Sequence, residues 1–341
     1  MGKEQYKANR VGMKIDKLSF AVSNPLHLRR QSLIQCTNKR FYEDPSLTQT
    51  SQQNPTPTAQ AQPQVGGKAT IARNGVLDLA LGTSTTSNAC RTCNQRLASC
   101  IGHFGHIELP FPCYHTGYFR FILLTLSAIC KRCARLLLPI DKRNEYLAKV
   151  VRARSSYLER KALHEQIIKL CKKQKQCPYC KSFSGQVKKT GCYKILSQTI
   201  PIRPKSSKIL TSSSKEHIKQ MSKFKSIIDS NPDLEDLLEK QTHEILDPIS
   251  VLNLFRRIPE RDIPYLLIND ARPEDLILTR LPVPPSCIRP TVVSDENTNE
   301  DDLTILLSET NLLVDVIEKR RATGAIPSLI MEAWDFLQLE I

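Results

Sequence analysis

Cys90-Arg91-Thr92-Cys93, six further residues, and Cys100-Ile101-Gly102-His103 form the stretch on which the reading of this chain turns. Zinc prefers four thiolate or imidazole ligands in a tetrahedron, and a C-x-x-C turn sets two thiolates on one ion. The run C-x2-C-x6-C-x2-H therefore supplies a complete site from fourteen consecutive residues. It leaves no position for water or substrate, so the spacing predicts a structural zinc held by Cys90, Cys93, Cys100 and His103. His106 is the rival histidine; C-x2-H is the tighter chelate, and His106 is expected to pack or hydrogen-bond beside the site.

A second constellation pairs Cys130-Lys131-Arg132-Cys133 with Cys177-Pro178-Tyr179-Cys180 across a long insertion. Cys130, Cys133, Cys177 and Cys180 are the symmetrical choice for a second structural zinc, although Cys171 and Cys192 are close enough in sequence to replace one of them. Cys36, Cys113 and Cys287 read as ordinary thiols, small and easily buried. His115 reads as a structural histidine.

The polar opening Met1-Gly2-Lys3-Glu4-Gln5 predicts no secretory leader, so twelve cysteines point to reduced, metal-holding thiols rather than disulfides. The longest apolar run, Tyr118 to Ile129, falls short of the ~20 residues a membrane span needs, and no membrane partner is expected. The net charge of +15 is concentrated: residues 131–225 carry 25 Lys+Arg against 5 Asp+Glu, whereas residues 226–341 carry 10 against 23. Such a basic middle third beside two zinc sites suggests a surface that neutralises phosphates. Aromatics are not interleaved with the basic run, which favours backbone contacts with duplex DNA over stacking on single strands.

Along the chain, Leu18, Phe20 and Val22 alternate as in a short strand. Residues 45–67 are rich in Gln and Pro and cannot bury enough apolar surface to order, so a disordered insertion is expected there. A short strand is expected at Ile107–Pro110, and an apolar helix from Tyr114 to Leu138. Lys142 to Lys173 reads as a basic amphipathic helix or helix pair whose base the second zinc would pin, and residues 205–232 as a flexible basic loop. Leu234 to Ile258 reads as one helix, with Ile245 among its core positions. Leu281 to Pro290 has too many prolines for a helix or central strand and is expected to be an extended loop. Its Arg289 could touch nucleic acid or be a plain surface arginine. Asn299 with Asp302 resembles the cap of a helix running from Leu303 through Ile317. Ile330, Trp334, Leu337 and Ile341 make a final helical stripe with no stop signal, so a chain truncated at its C-terminus is expected.

Taken in order, Leu77-Asp78-Leu79-Ala80-Leu81-Gly82-Thr83, the C-x2-C-x6-C-x2-H run, Gly102 to Leu109, and Tyr114-His115-Thr116-Gly117-Tyr118-Phe119 resemble the N-terminal clamp region of the largest subunit of eukaryotic DNA-directed RNA polymerases. The segments Val251 to Pro259, Asp275 to Arg280 and Met331 to Leu339 resemble the RNA polymerase III version. The resemblance implies an α+β, mostly helical fold, a zinc-stapled clamp core and clamp head. Its division would be a clamp strand segment at 1–44, the insertion at 45–67 and the first knuckle with clamp core at 68–129. The second knuckle with a basic clamp head would follow at 130–204, the loop at 205–232, and core helices with a lid-like loop at 233–341. It also implies a nuclear protein whose partners are the second-largest and smaller polymerase subunits, duplex DNA and the RNA–DNA hybrid. Two structural Zn2+ would be resident, with Mg2+ only in the complete enzyme. The family's magnesium loop, Asn-Ala-Asp-Phe-Asp-Gly-Asp, has no counterpart here, so no catalytic residue is nominated and the chain alone is expected to be inactive. A stand-alone zinc-dependent DNA-binding or regulatory protein derived from such a clamp is the competing reading.

Overall fold

The protein is described from a computed structural model that covers residues 22–43, 70–86, 88–153, 156–199, 243–266, 271–293 and 298–341, with isolated positions 15, 18 and 20. The Gln/Pro-rich insertion at 45–67 and the basic loop at 205–232 lie outside the described residues. Helices and strands are mixed throughout.

A three-stranded sheet joins the two halves of the chain. Its central strand β4 (Gly105–Tyr114) pairs in parallel with β1 (Ile34–Gln35) and antiparallel with β8 (Ile277–Val283). β4 is longer than the expected Ile107–Pro110, and its register with β8 breaks between Glu108 and Cys113. Pro110 and Pro112 occupy that break, where a ring nitrogen has no hydrogen to give the ladder. The two faces of β4 feed different cores: Tyr114 enters the first, while Ile107, Leu109 and Cys113, on the opposite face, enter the second. β8 also contributes to both, with Ile277 in the first core and Val283 in the second. The prolines of the 281–290 stretch are accommodated because β8 is an edge strand; Leu281 to Val283 is strand, and a single turn follows at Ser286–Ile288.

The first core gathers the helical hairpin. The apolar helix expected from Tyr114 to Leu138 is shorter: α2 spans Phe119–Ala128 and ends just before the Cys130–Cys133 turn. α3 (Ile140–Arg152) and α4 (Tyr157–Lys173) then form the expected helix pair. Ser156 caps α4 by accepting from the Glu159 amide, the S-x-x-E arrangement that satisfies an otherwise orphan donor. Val150, Leu163 and Ile167 face the core, whereas Val151 of the same apolar pattern is exposed. A second three-stranded sheet, β5 (Val187–Thr190), β6 (Lys194–Gln198) and β7 (His243–Leu246), packs against it.

Three expectations are corrected. Leu234 to Ile258 is not one helix: its described part is strand β7 followed by α5 (Pro248–Arg256). Pro248 cannot donate within a continuing helix but suits a first helical position, and β6 supplies the ladder that draws His243–Leu246 into a strand. Ile245 is consequently exposed, not core. Ile15, Leu18 and Phe20 are exposed and belong to no strand; Val22 packs on the first core. The cap of α6 (Asp302–Ala322) is Asp301, whose carboxylate accepts from the Leu303 amide, one residue before the expected position; Asn299 lies in strand β10 (Thr298–Asn299), which pairs with β9 (Val292–Val293). The final helix α7 (Pro327–Glu340) presents Trp334 and Leu337 to the second core, as the stripe predicts. The remaining strands, β2 (Tyr42–Glu43) and β3 (Thr70–Ile71), pair with each other.

Candidate metal centres and the basic hairpin

Three C-x-x-C turns close in the same way. In each, the first cysteine's carbonyl accepts from the amide four residues on, and its own amide donates to the carbonyl five residues on. The pairs are Cys90 with Asn94 and Gln95, Cys130 with Ala134 and Arg135, and Cys177 with Lys181 and Ser182, all at 2.9–3.0 Å. The residue after each second cysteine, Asn94, Ala134 or Lys181, takes a positive φ near 55°. That left-handed step is unusual for non-glycine residues, and here it turns both sulfurs of the pair to one side.

The ligating atoms of Cys90, Cys93, Cys100 and His103 lie within 4.8 Å of one another, and so do those of Cys130, Cys133, Cys177 and Cys180. In the first cluster Cys93 Sγ is 3.5 Å from Cys100 Sγ, which is 3.8 Å from His103 Nε2. In the second, Cys130 Sγ to Cys180 Sγ is 3.5 Å and Cys133 Sγ to Cys177 Sγ is 3.6 Å. A tetrahedron with bonds of about 2.3 Å has edges of about 3.8 Å, so both clusters could hold an ion of zinc's size. Each supplies four donors, the closed type of site.

Electrostatics favour thiolates at one position in each cluster. A hydrogen bond with His103, then the Gln95 backbone, pulls the half-buried Cys93 thiol down to about 6. Burial works against Cys180, but the Ser182 hydroxyl and amide outweigh it and also bring it to about 6. Burial pushes Cys100 up to about 11 and also raises Cys133 and Cys177. A cation is what would let all the thiols of a cluster ionise together, with His103 ligating as neutral imidazole.

Each cluster rests on a platform. For the first, three successive carbonyls of the Leu79–Leu81 turn accept from the Arg91 amide, the Thr92 hydroxyl and the His103 amide. The buried Asp78 carboxylate fixes that turn by accepting from the Asn74 and Ala80 amides and from Arg91. Gly102, at φ +82°, lies so close to the Pro-rich segment that a Cβ would sit 2.4 Å from Pro285 Cβ. For the second, buried Asp262 accepts from the Leu136 amide at 3.0 Å and from Arg143 at 2.9 Å, and Arg257 donates to the Arg132 carbonyl. Ser182 Oγ lies 3.2 Å from Cys130 Sγ and 2.9 Å from Cys180 Sγ. Neither Ser182 nor Asp262 is singled out by sequence reading. A serine two residues after the last thiol is the local signal for the first; nothing local marks the second.

The rival residues fall elsewhere. His106 is buried on β4, its Nδ1 2.7 Å from Ser32 Oγ. Cys171 is buried on α4, where desolvation pushes its thiol up to about 12, and Cys192 is exposed in the β5–β6 turn. His115 stacks edge-on against Tyr118, with a buried Nδ1 that has no hydrogen-bond partner among the described residues. Arg289 overturns both of its readings: it is 1% exposed and donates to the Pro284 carbonyl, the Thr304 hydroxyl and the Val76 carbonyl. It holds the Pro-rich segment to the second core and has no surface to offer nucleic acid. By contrast Lys172, Lys173 and Lys175, at the end of α4 beside the second cluster, are exposed.

The family described as RNA polymerase Rpb1, domain 1, matches residues 12–341. The chain belongs to this family. It is 40% identical over 344 aligned positions to a human protein named DNA-directed RNA polymerase III subunit RPC1, covering 100% of this chain and 23% of the relative. The Saccharomyces cerevisiae protein of that name is 35% identical over 280 positions, covering 79% of this chain and 19% of the relative. The Giardia intestinalis one is 28% identical over 395 positions, covering 98% and 20%. The chain thus corresponds to an N-terminal region of the RNA polymerase III largest subunit and spans about a quarter or less of the length of the relatives it matches. Among the described residues no helix is long and apolar enough to cross a membrane.

Proposed function

We propose that this chain serves as the zinc-stapled clamp segment of an RNA polymerase III largest subunit, gripping template DNA and the RNA–DNA hybrid while residues elsewhere in the assembled enzyme, with Mg2+, perform nucleotide addition. The observation that carries this reading is the second cluster, whose two C-x-x-C turns lie on either side of the basic α3–α4 hairpin, inside a chain that matches the polymerase family nearly end to end. Zinc at Cys130, Cys133, Cys177 and Cys180 would fix the base of that hairpin. Zinc at Cys90, Cys93, Cys100 and His103 would fix the Leu79–Leu81 turn against the Pro-rich, lid-like segment. The clamp core would comprise residues 68–129 and 233–341, and the clamp head residues 130–204. Its partners would be the other polymerase subunits, its location the nucleus, and its own contribution to catalysis positional.

Phosphate contacts without base readout give weak, sequence-independent affinity that falls steeply with salt. Exposed Lys172, Lys173 and Lys175 are the cations best placed for it. Replacing all three with Gln should reduce the salt slope of duplex binding by about 2.7, since each phosphate contact contributes about 0.9. Duplex binding by the zinc-loaded chain that ignores salt, or a triple variant with the parent's slope, would refute the electrostatic part of the reading.

A further inference from the structure

A groove of about 610 Å³ runs between α2 and α4 and reaches Lys172, at the end of α4 beside the second cluster. Its floor is apolar, made by Phe121, Leu124 and the buried Ile168. Its rims carry Arg120, Lys161 and Lys169, all exposed, and among the described residues these three enter no ion pair. Glu165 is the one carboxylate among the described lining residues. His164 lies between floor and rim. It is only 8% exposed, its ring stacks on Phe121 at 5.2 Å, and its buried Nε2 has no hydrogen-bond partner among the described residues.

These features discriminate among occupants. A nucleic-acid backbone would use the cations but waste the apolar floor. A small anion would use neither the length of the groove nor the floor. A helix carrying leucine-type side chains on one stripe and carboxylates on the flanks would use all of them: apolar anchors at i, i+3 and i+4 on Phe121, Leu124 and Ile168, and acids at the rims.

The geometry points to the α2–α4 groove as the docking surface for an acidic amphipathic helix of another polypeptide in the assembly. The inference rests on the polymerase-subunit reading for the existence of such a partner. Its measurement needs neither transcription nor the rest of the subunit, so its failure leaves that reading standing.

The probe is a fluorescent synthetic Leu/Glu helix of about four turns, titrated into the zinc-loaded full chain and followed by anisotropy. Saturable binding is expected. Arg120→Glu with Lys161→Glu should weaken it about tenfold, while zinc content and helical circular dichroism stay unchanged, since both side chains are exposed. A peptide with Ser for Leu and the same charge should bind at least about tenfold more weakly. Three results would overturn the proposal. A scrambled peptide of the same composition that binds equally well would show mere charge attraction. A duplex oligonucleotide that displaces the peptide, and whose own affinity falls as much in the double variant, would make the groove a nucleic-acid surface. Binding that appears only when residues 201–242 are replaced by a Gly/Ser linker would mean that the chain's own acidic stretch, Asp233 to Glu239, is the occupant.

Discussion

Replacing Arg289 by Ala should unfold the chain more readily without touching its affinity for DNA. The guanidinium sits 1% exposed, with Nε 3.1 Å from the Pro284 carbonyl, Nη1 3.0 Å from Thr304 Oγ1 and Nη2 2.5 Å from the Val76 carbonyl. Truncation would orphan three oxygens where water has little access, at about 1 kcal/mol each as a lower figure. The vacated stem adds a cavity term of about 1–2 kcal/mol. Release of a buried charge offsets part of this: burial holds the Arg289 pKa down, with Asp301 and Glu300 only partly compensating. A net loss of about 3–5 kcal/mol follows, which for a chain of this size is a fall in melting temperature of roughly 4–7 °C. Arg289→Met should recover about 1 kcal/mol by refilling the stem but not the bonds. Differential scanning fluorimetry of the zinc-loaded protein reads the stability, and duplex titration reads the binding. A variant as heat-stable as the parent would refute the buried-anchor reasoning, and one that melts normally but binds DNA poorly would restore the nucleic-acid reading.

Cys93→Ser should drop metal content from two ions to one and cost several kcal/mol, because binding energy in a closed zinc site is folding energy; Cys171→Ala should leave both ions, and metal analysis after dialysis separates the two. Gly102→Ala should cost at least about 2 kcal/mol, from the positive φ and from the collision with Pro285, and should be visible as a lower midpoint in urea. Gln338→Leu should cost about 2 kcal/mol in the same assay, because the side-chain amide both accepts from the Tyr114 amide at 2.6 Å and donates to the Tyr114 carbonyl at 3.0 Å, deep under α7.

The convergence of the two candidate ligand clusters was legible because it rests on local turns. Two thiols on one C-x-x-C turn point at a common centre whatever the rest of the chain does, and the first cluster, Cys90 to His103, is contained within fourteen residues. The α3–α4 pair and the Trp334 and Leu337 stripe were legible for similar reasons: period and caps act within a few residues. Tertiary structure decided the rest. His243–Leu246 became strand because β6 lay alongside to pair with it, a partner some 50 positions away in sequence. β4 outran its expected length because β8 continued the ladder beyond the proline break. Arg289 went inward because Val76 and Thr304, distant in sequence, offered oxygens that no reading of the Pro-rich stretch could supply. Local pattern determines which groups must find partners; only the folded chain decides which partners come within reach.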